Sequence, residues 1–232
     1  MLTQLLWGEE CEVLEQVPRW IRIHAKGDGQ EGWVDAKMMS NEDWPVRPKR
    51  LSMGTRVPEG IVYSGDKILT AALTMSRERL VEVYGVLEGT PYLWGGKNEW
   101  GMDCSGMTQV VMSLFGIRLL RNASEQATQG QAVASLSEAR TGDLVLFDHA
   151  DIDPTQTRIS HVGILMDTHT VMHCSGWVRT DRIDEQGIIN DKGQYTHHLA
   201  SVRHLGRKRL TALPSSGDQG LHSPKKSADF FG

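Results

Sequence analysis

Three cysteines, Cys11, Cys104 and Cys174, are too few for a fully paired disulfide framework, and no C-x-x-C pair occurs. No H-E-x-x-H helix occurs either, so the common zinc spacings are absent and neither a metal nor an organic cofactor is expected. The apolar runs fall far short of the roughly 20 residues that cross a bilayer, which excludes a membrane-spanning helix. The first twenty residues carry Glu9, Glu10, Glu12 and Glu15 where an export signal has a basic stretch and an apolar core. The chain as it stands is therefore expected in the cytoplasm, and in the cell envelope if its N-terminus is truncated. Positive charge is not in excess: 25 Lys+Arg stand against 29 Asp+Glu, a net charge of −4. Five basic and two acidic residues lie beyond Gly206, leaving −7 on the body, and a body of that charge offers nucleic acid no basic face.

What is present is an ordinary globular composition, 232 residues with 39% hydrophobic, long enough to bury a sizeable core. Residues 1–40 hold short segments rich in Val, Ile and Trp, punctuated by Gly27, Gly29 and Gly32, and are expected to form a small β-barrel lacking its first strand. At least two of Trp7, Trp20 and Trp33 are expected in its core. Residues 41–75, with Pro45, Pro48 and Pro58, read as a linker and an irregular β segment. From Ser76 the spacing of Leu80, Val83, Tyr84 and Leu87 predicts a helix. A second begins at Asp103, with Met107, Val110, Val111 and Leu114 at i, i+3, i+4, i+7, and a third opens on Asn122 with Glu125 three residues later. Strands follow over 143–147, 160–166, 171–175 and 177–182. Helices followed by strands make this an α+β domain over 76–205, with 206–232 a disordered tail.

Cys104 follows a glycine-rich loop and opens the second helix, where free backbone N–H groups and the helix dipole favour a thiolate. Local sequence leaves a structural cysteine at a tight turn equally open. A nucleophilic thiol needs a base, and that base a partner to orient it. His161 and His173 lie on successive strands, and both rings share one face only if paired residue numbers sum to an even value, as with 163 opposite 173. An odd register would separate them. Asp143 reads as a turn residue and Cys174 as a core residue. His197 and His198 diverge as strand neighbours and read as surface histidines.

The run Pro91-Tyr92-Leu93-Trp94-Gly95-Gly96, then Gly101-Met102-Asp103-Cys104-Ser105-Gly106, resembles the NlpC-type cysteine peptidases of the NlpC/P60 superfamily. Gly142-Asp143-Leu144, Ser160-His161-Val162-Gly163-Ile164 and His173-Cys174-Ser175-Gly176 carry the same resemblance, which spans residues 80–204. The N-terminal β segment resembles the bacterial SH3-like domain found before this catalytic domain. The resemblance implies a papain-like α+β core that hydrolyses the bond between γ-D-glutamate and a diamino acid in peptidoglycan stem peptides or muropeptides. It implies Cys104 as nucleophile, His161 as general base and His173 as its orienting residue. Tyr92 is implied beside the oxyanion, with Asp103, Ser105 and Ser160 around the substrate. Relatives place an Asp for the substrate's free amine where this chain has Asn122. An amidase or acyltransferase on the same fold, and a non-catalytic cell-wall binder, are the alternatives.

Overall fold

Alternation with a period of two decides which residues of the N-terminal segment turn inward. In a computed structural model that describes residues 1–41, 48–65, 67–148 and 158–206, this segment forms β1 (Cys11–Gln16), β2 (Trp20–Ala25) and β3 (Glu31–Asp35). The three pair antiparallel in chain order, and Ile21, Ile23 and Ala25 bury themselves against Leu5, Cys11 and Val34. Trp20 and Trp33 fall on the other parity and stand 43% and 48% exposed, so only Trp7 of the three tryptophans packs against a core. These strands form a three-stranded open sheet over the residues where a small β-barrel lacking its first strand was expected.

The segment expected to hold a linker and an irregular β segment forms a defined sheet where it is described. β4 (Arg56–Val57), β5 (Gly60–Ser64) and β6 (Lys67–Leu69) make a second three-stranded sheet. Its two faces divide the work: Val57 and Val62 close on Leu51 and Trp7, while Ile61 and Tyr63 join Met53 in the main core. Strands of two to five residues are too short for alternation to stand out in the sequence. The tail expected to be disordered lies, from 207 onward, outside the described residues.

α1 (Arg77–Leu87) is capped by Ser76, whose Oγ accepts the Arg79 N–H, and buries Leu80, Val83 and Leu87. A two-strand hairpin, β7 (Lys97–Asn98) and β8 (Gly101–Met102), leads into α2 (Cys104–Leu114), whose apolar stripe is fully inside. α3 (Ala123–Gln126) and β9 (Gln131–Val133) follow. Six strands complete the domain: β10 (Leu144–Asp148), β11 (Ile159–Asp167), β12 (Thr170–Ser175), β13 (Trp177–Asp184), β14 (Gly187–Ile189) and β15 (Tyr195–His204). Each pairs antiparallel with the next, and β15 also pairs with β10, which closes the sheet on itself; β9 adds to β15 outside the ring.

Closure, with the helices packed outside, gives β10, β11 and β12 two buried faces. Leu144, Leu146, Val162, Ile164, Met172 and Cys174 point outward to α1 and α2, and Val145, Phe147, Leu165, Val171, Ile183 and Ile188 fill the inside. Segments such as Leu144–Phe147 therefore read as unbroken apolar runs. No described helix is long and apolar enough to cross a membrane.

Candidate active site

The site begins with how α2 starts. Asp103 is its N-cap, and the carboxylate has no unused side. Oδ1 accepts the Gly106 N–H at 2.7 Å, and Oδ2 accepts the Gly95 N–H at 2.7 Å. Arg121, 1% exposed, closes on both oxygens at 3.0 and 2.6 Å and donates to Ser105 Oγ at 2.8 Å. The loop comes so close to the helix that a Cβ on Gly106 would lie 2.1 Å from the Gly96 carbonyl oxygen. Asp103 and Ser105, expected around the substrate, are here 6% and 5% exposed and turned to this internal network.

The same arrangement reverses an expectation about Cys104. Burial, and next the Asp103 carboxylate, push its thiol up to about 11, against the pull of the Val162 and Ser105 main-chain amides and of Arg121. The helix end that was to favour a thiolate is already occupied by the Asp103 carboxylate. The Val162 amide places the sulfur beside the residue that follows His161.

β11 and β12 pair with Gly163 opposite His173, the even register, so both histidines point into the mouth of the closed sheet. Their rings meet edge to face, with His161 Nε2 and His173 Nδ1 2.9 Å apart. The hairpin from β12 to β13 sets His173 opposite Arg179 and thus Asp181 diagonally beside it on the same face. Asp181 Oδ2 lies 2.9 Å from His173 Nε2, and Asp181 Oδ1 accepts from Arg179 Nη2 at 2.7 Å. Burial works to raise the Asp181 carboxyl, but the hydrogen bonds from His173 and Arg179 outweigh it and hold the group below its ordinary value. Arg179 in turn lies over the Trp177 ring, 4.9 Å from its centroid.

His197, from the closing strand β15, stacks on His161 with centroids 4.2 Å apart and planes at 30°. Its expected place on the surface is thus corrected: its parity on β15 carries it inside, opposite Ile188. Tyr92, half-exposed, is bridged to Met102, and its N–H donates to the Gly176 carbonyl. Burial, with the nearby Cys104 sulfur second, pushes its hydroxyl up to about 12, so it stays a proton donor at neutral pH. Asn122 is exposed at the start of α3, its N–H donating to Glu125 Oε2 at 2.8 Å, and Ser160 is exposed at the start of β11. Cys174 belongs to the outward face, donating to the Met102 carbonyl oxygen. Asp143 serves a turn, accepting the Arg140 N–H while its other oxygen meets His204. Among the described residues no group of three or more His, Cys, Asp or Glu side chains is arranged to hold a metal ion.

Residues 89–201 match the model of the NlpC/P60 family. The chain carries an NlpC/P60 domain. It is similar to a γ-D-glutamyl-L-lysine dipeptidyl-peptidase of Bacillus cereus, 22% identical over 88% of this chain and 75% of that one. A Bacillus subtilis protein of the same name is 29% identical over 50% of this chain and 38% of its own length. The murein DD-endopeptidase MepS/murein LD-carboxypeptidase of Escherichia coli K12 is 36% identical over 43% of this chain. The chain spans only 50% of that relative. A crystal structure of an NlpC/P60 family protein from B. cereus shares the fold, with a TM-score of 0.65 at 18% identity over 87% of this chain and 81% of that one. The NlpC/P60 domain is a peptidase domain of the cysteine type.

Three residues of the NlpC/P60 site were not anticipated. Asp181 was readable in principle: a hairpin turning at Gly176 fixes an even sum, which puts 173 and 181 on one face. His197 was not, because its parity depends on a strand whose register shifts against both neighbours. Arg121 carries no periodic signal at all, since it lies on no strand or helix.

Proposed function

We propose that the protein is a cysteine endopeptidase that hydrolyses the γ-D-glutamyl–diamino acid bond of peptidoglycan stem peptides, on a papain-like core preceded by an SH3-like module. The observation that carries this is the 2.9 Å link between His161 Nε2 and His173 Nδ1, in a register that puts both rings on one face, with the Cys104 sulfur held by the amide of the next residue, Val162. The names of the Bacillus relatives support the bond chosen. Because the thiol is held protonated, its proton moves to His161 Nδ1 as sulfur attacks the γ-glutamyl carbonyl carbon and the C–S bond forms. Charge gathers on the carbonyl oxygen, where the Tyr92 hydroxyl and the Cys104 N–H donate. The tetrahedral intermediate collapses, the C–N bond breaks, and His161 returns the proton to the departing amine. Water then attacks the thioester with His161 as base, releasing the acid and restoring the thiol.

Asn122 keeps the helix cap but brings no charge to a substrate amine. The deciding assay is cleavage of L-Ala-γ-D-Glu-diaminopimelate beside its N-acetylated form, by wild type and Cys104→Ala. We expect the free-amine peptide to be cut by wild type alone, and Asn122→Asp to raise its kcat/KM roughly fivefold, the worth of about 1 kcal/mol from a charge-assisted bond. Failure of the folded wild type to cut either peptide would overturn the reading.

A further inference from the structure

Resting on that reading, we propose that Asp181, held from behind by Arg179, is a positioning residue that sets the proton polarity of the whole His173–His161 relay. The argument runs on donors and acceptors alone. A carboxylate only accepts, so His173 Nε2, 2.9 Å from Asp181 Oδ2, carries a hydrogen. In neutral His173 the other nitrogen, Nδ1, is then bare and accepts across its 2.9 Å contact with His161. His161 therefore carries its hydrogen on Nε2, and its Nδ1 presents a lone pair, the state the proposed general base requires. Reversing any one of these assignments reverses the next, because each neutral imidazole has one donor and one acceptor. Asp181 touches neither thiol nor substrate, yet it selects which nitrogen of His161 is a base.

Arg179 makes this choice rigid. Its Nη2 donates to Asp181 Oδ1 at 2.7 Å, so the group at position 181 must present an acceptor on that side. In Asp181→Asn the amide oxygen is claimed by Arg179, and the NH₂ is turned toward His173 Nε2. That nitrogen then has to accept, His173 Nδ1 gains the hydrogen, His161 Nε2 accepts it, and His161 Nδ1 becomes an N–H. The general base is lost although its ring has not moved. Arg179→Ala added to Asp181→Asn frees the amide to turn its oxygen back to His173.

The test is ¹⁵N NMR of the histidine rings in the full chain at a pH where they are neutral, with kcat measured on the same samples. In wild type we expect His161 and His173 each protonated at Nε2 and bare at Nδ1. In Asp181→Asn we expect both inverted, with kcat lower by about 10³–10⁴-fold and KM little changed, the scale of an amide replacing a carboxylate behind a catalytic imidazole. In the double variant Arg179→Ala/Asp181→Asn we expect partial return of the wild-type tautomers and of activity. A protonated Nδ1 on His161 in wild type, or unchanged tautomers in a folded Asp181→Asn, would overturn the proposal. The ring spectra need no substrate, so a wild type that cleaves nothing yet shows these tautomers would sink the peptidase reading and leave this inference standing.

Discussion

At Cys104 one sulfur atom receives opposite instructions from its surroundings. Burial and the Asp103 carboxylate favour its neutral form; the main-chain amides of Val162 on β11 and Ser105 on α2 favour the charged one, and the first pair wins. The consequence is a thiol that is quiet in the absence of substrate. With its pKa near 11, the thiolate fraction at pH 7 is about 10⁻⁴, roughly 300 times below that of an ordinary thiol near 8.5. Alkylation of Cys104 by iodoacetamide, followed by mass spectrometry, should therefore be slow at pH 7 and quicken about tenfold per pH unit toward 11. A plateau already at pH 7–8 would show a thiolate stabilised in the resting enzyme instead. Slow alkylation at neutral pH is accordingly no mark of a mere binding protein. The sequence announced Cys104, His161 and His173 because each sits in a motif with a fixed element type. It did not announce the sulfur's state, because that is set first by burial, which only the packed fold reveals, and next by the Asp103 carboxylate.

At the level of elements, the start of α2 is locked by proximity. The Gly96 carbonyl and the Gly106 Cα approach so closely that a methyl group has nowhere to go, since the obstructing atom is backbone. Gly106→Ala should cost about 2–4 kcal/mol in urea unfolding and remove activity, by pushing the glycine loop off the helix. A full loss of activity without loss of stability would assign Gly106 a role beyond packing. The elements themselves were readable in unequal measure. α1 and α2 declared themselves by their apolar stripes, and β10 to β12 by runs of Leu, Val, Ile and Met. β14 and β15 did not: three residues are too few for a pattern, and β15 spends its inward positions on groups such as His197 that look like surface residues. Prolines and brevity let β4 to β6 show only as an irregular β segment, although Ile61 and Tyr63 reach the main core.

For the molecule as a whole, the N-terminal segment and the NlpC/P60 domain are joined by a buried cation. Lys97, on β7, has its side chain 6% exposed and its ammonium 2.9 Å from Glu9 and 3.6 Å from Asp28. Thr3 accepts from Arg121 Nε at 3.0 Å, and Gln4 accepts the Lys97 N–H at 3.0 Å. These contacts bind residues 1–28 to the very loop and arginine that support Cys104. Lys97→Ala leaves the buried Asp28 and the partly buried Glu9 without their shared cation and should cost about 3 kcal/mol. Scanning calorimetry of wild type should show a single transition, and Lys97→Ala should lower its midpoint or split it in two. No pattern in the sequence pairs Lys97 with Glu9, because 88 residues separate partners that meet only once both parts are folded.

The closing strand carries one more consequence, for the chain as it is being made. Cys104, His161 and His173 leave the ribosome well before Tyr195–His204, yet the sheet that houses them has no far wall until β15 pairs with β10. His197 arrives on that same strand to cover His161. A nascent chain therefore holds all three side chains before it holds a closed sheet to gather them. On the proposed function, synthesis order is a safety catch, released by the last strand.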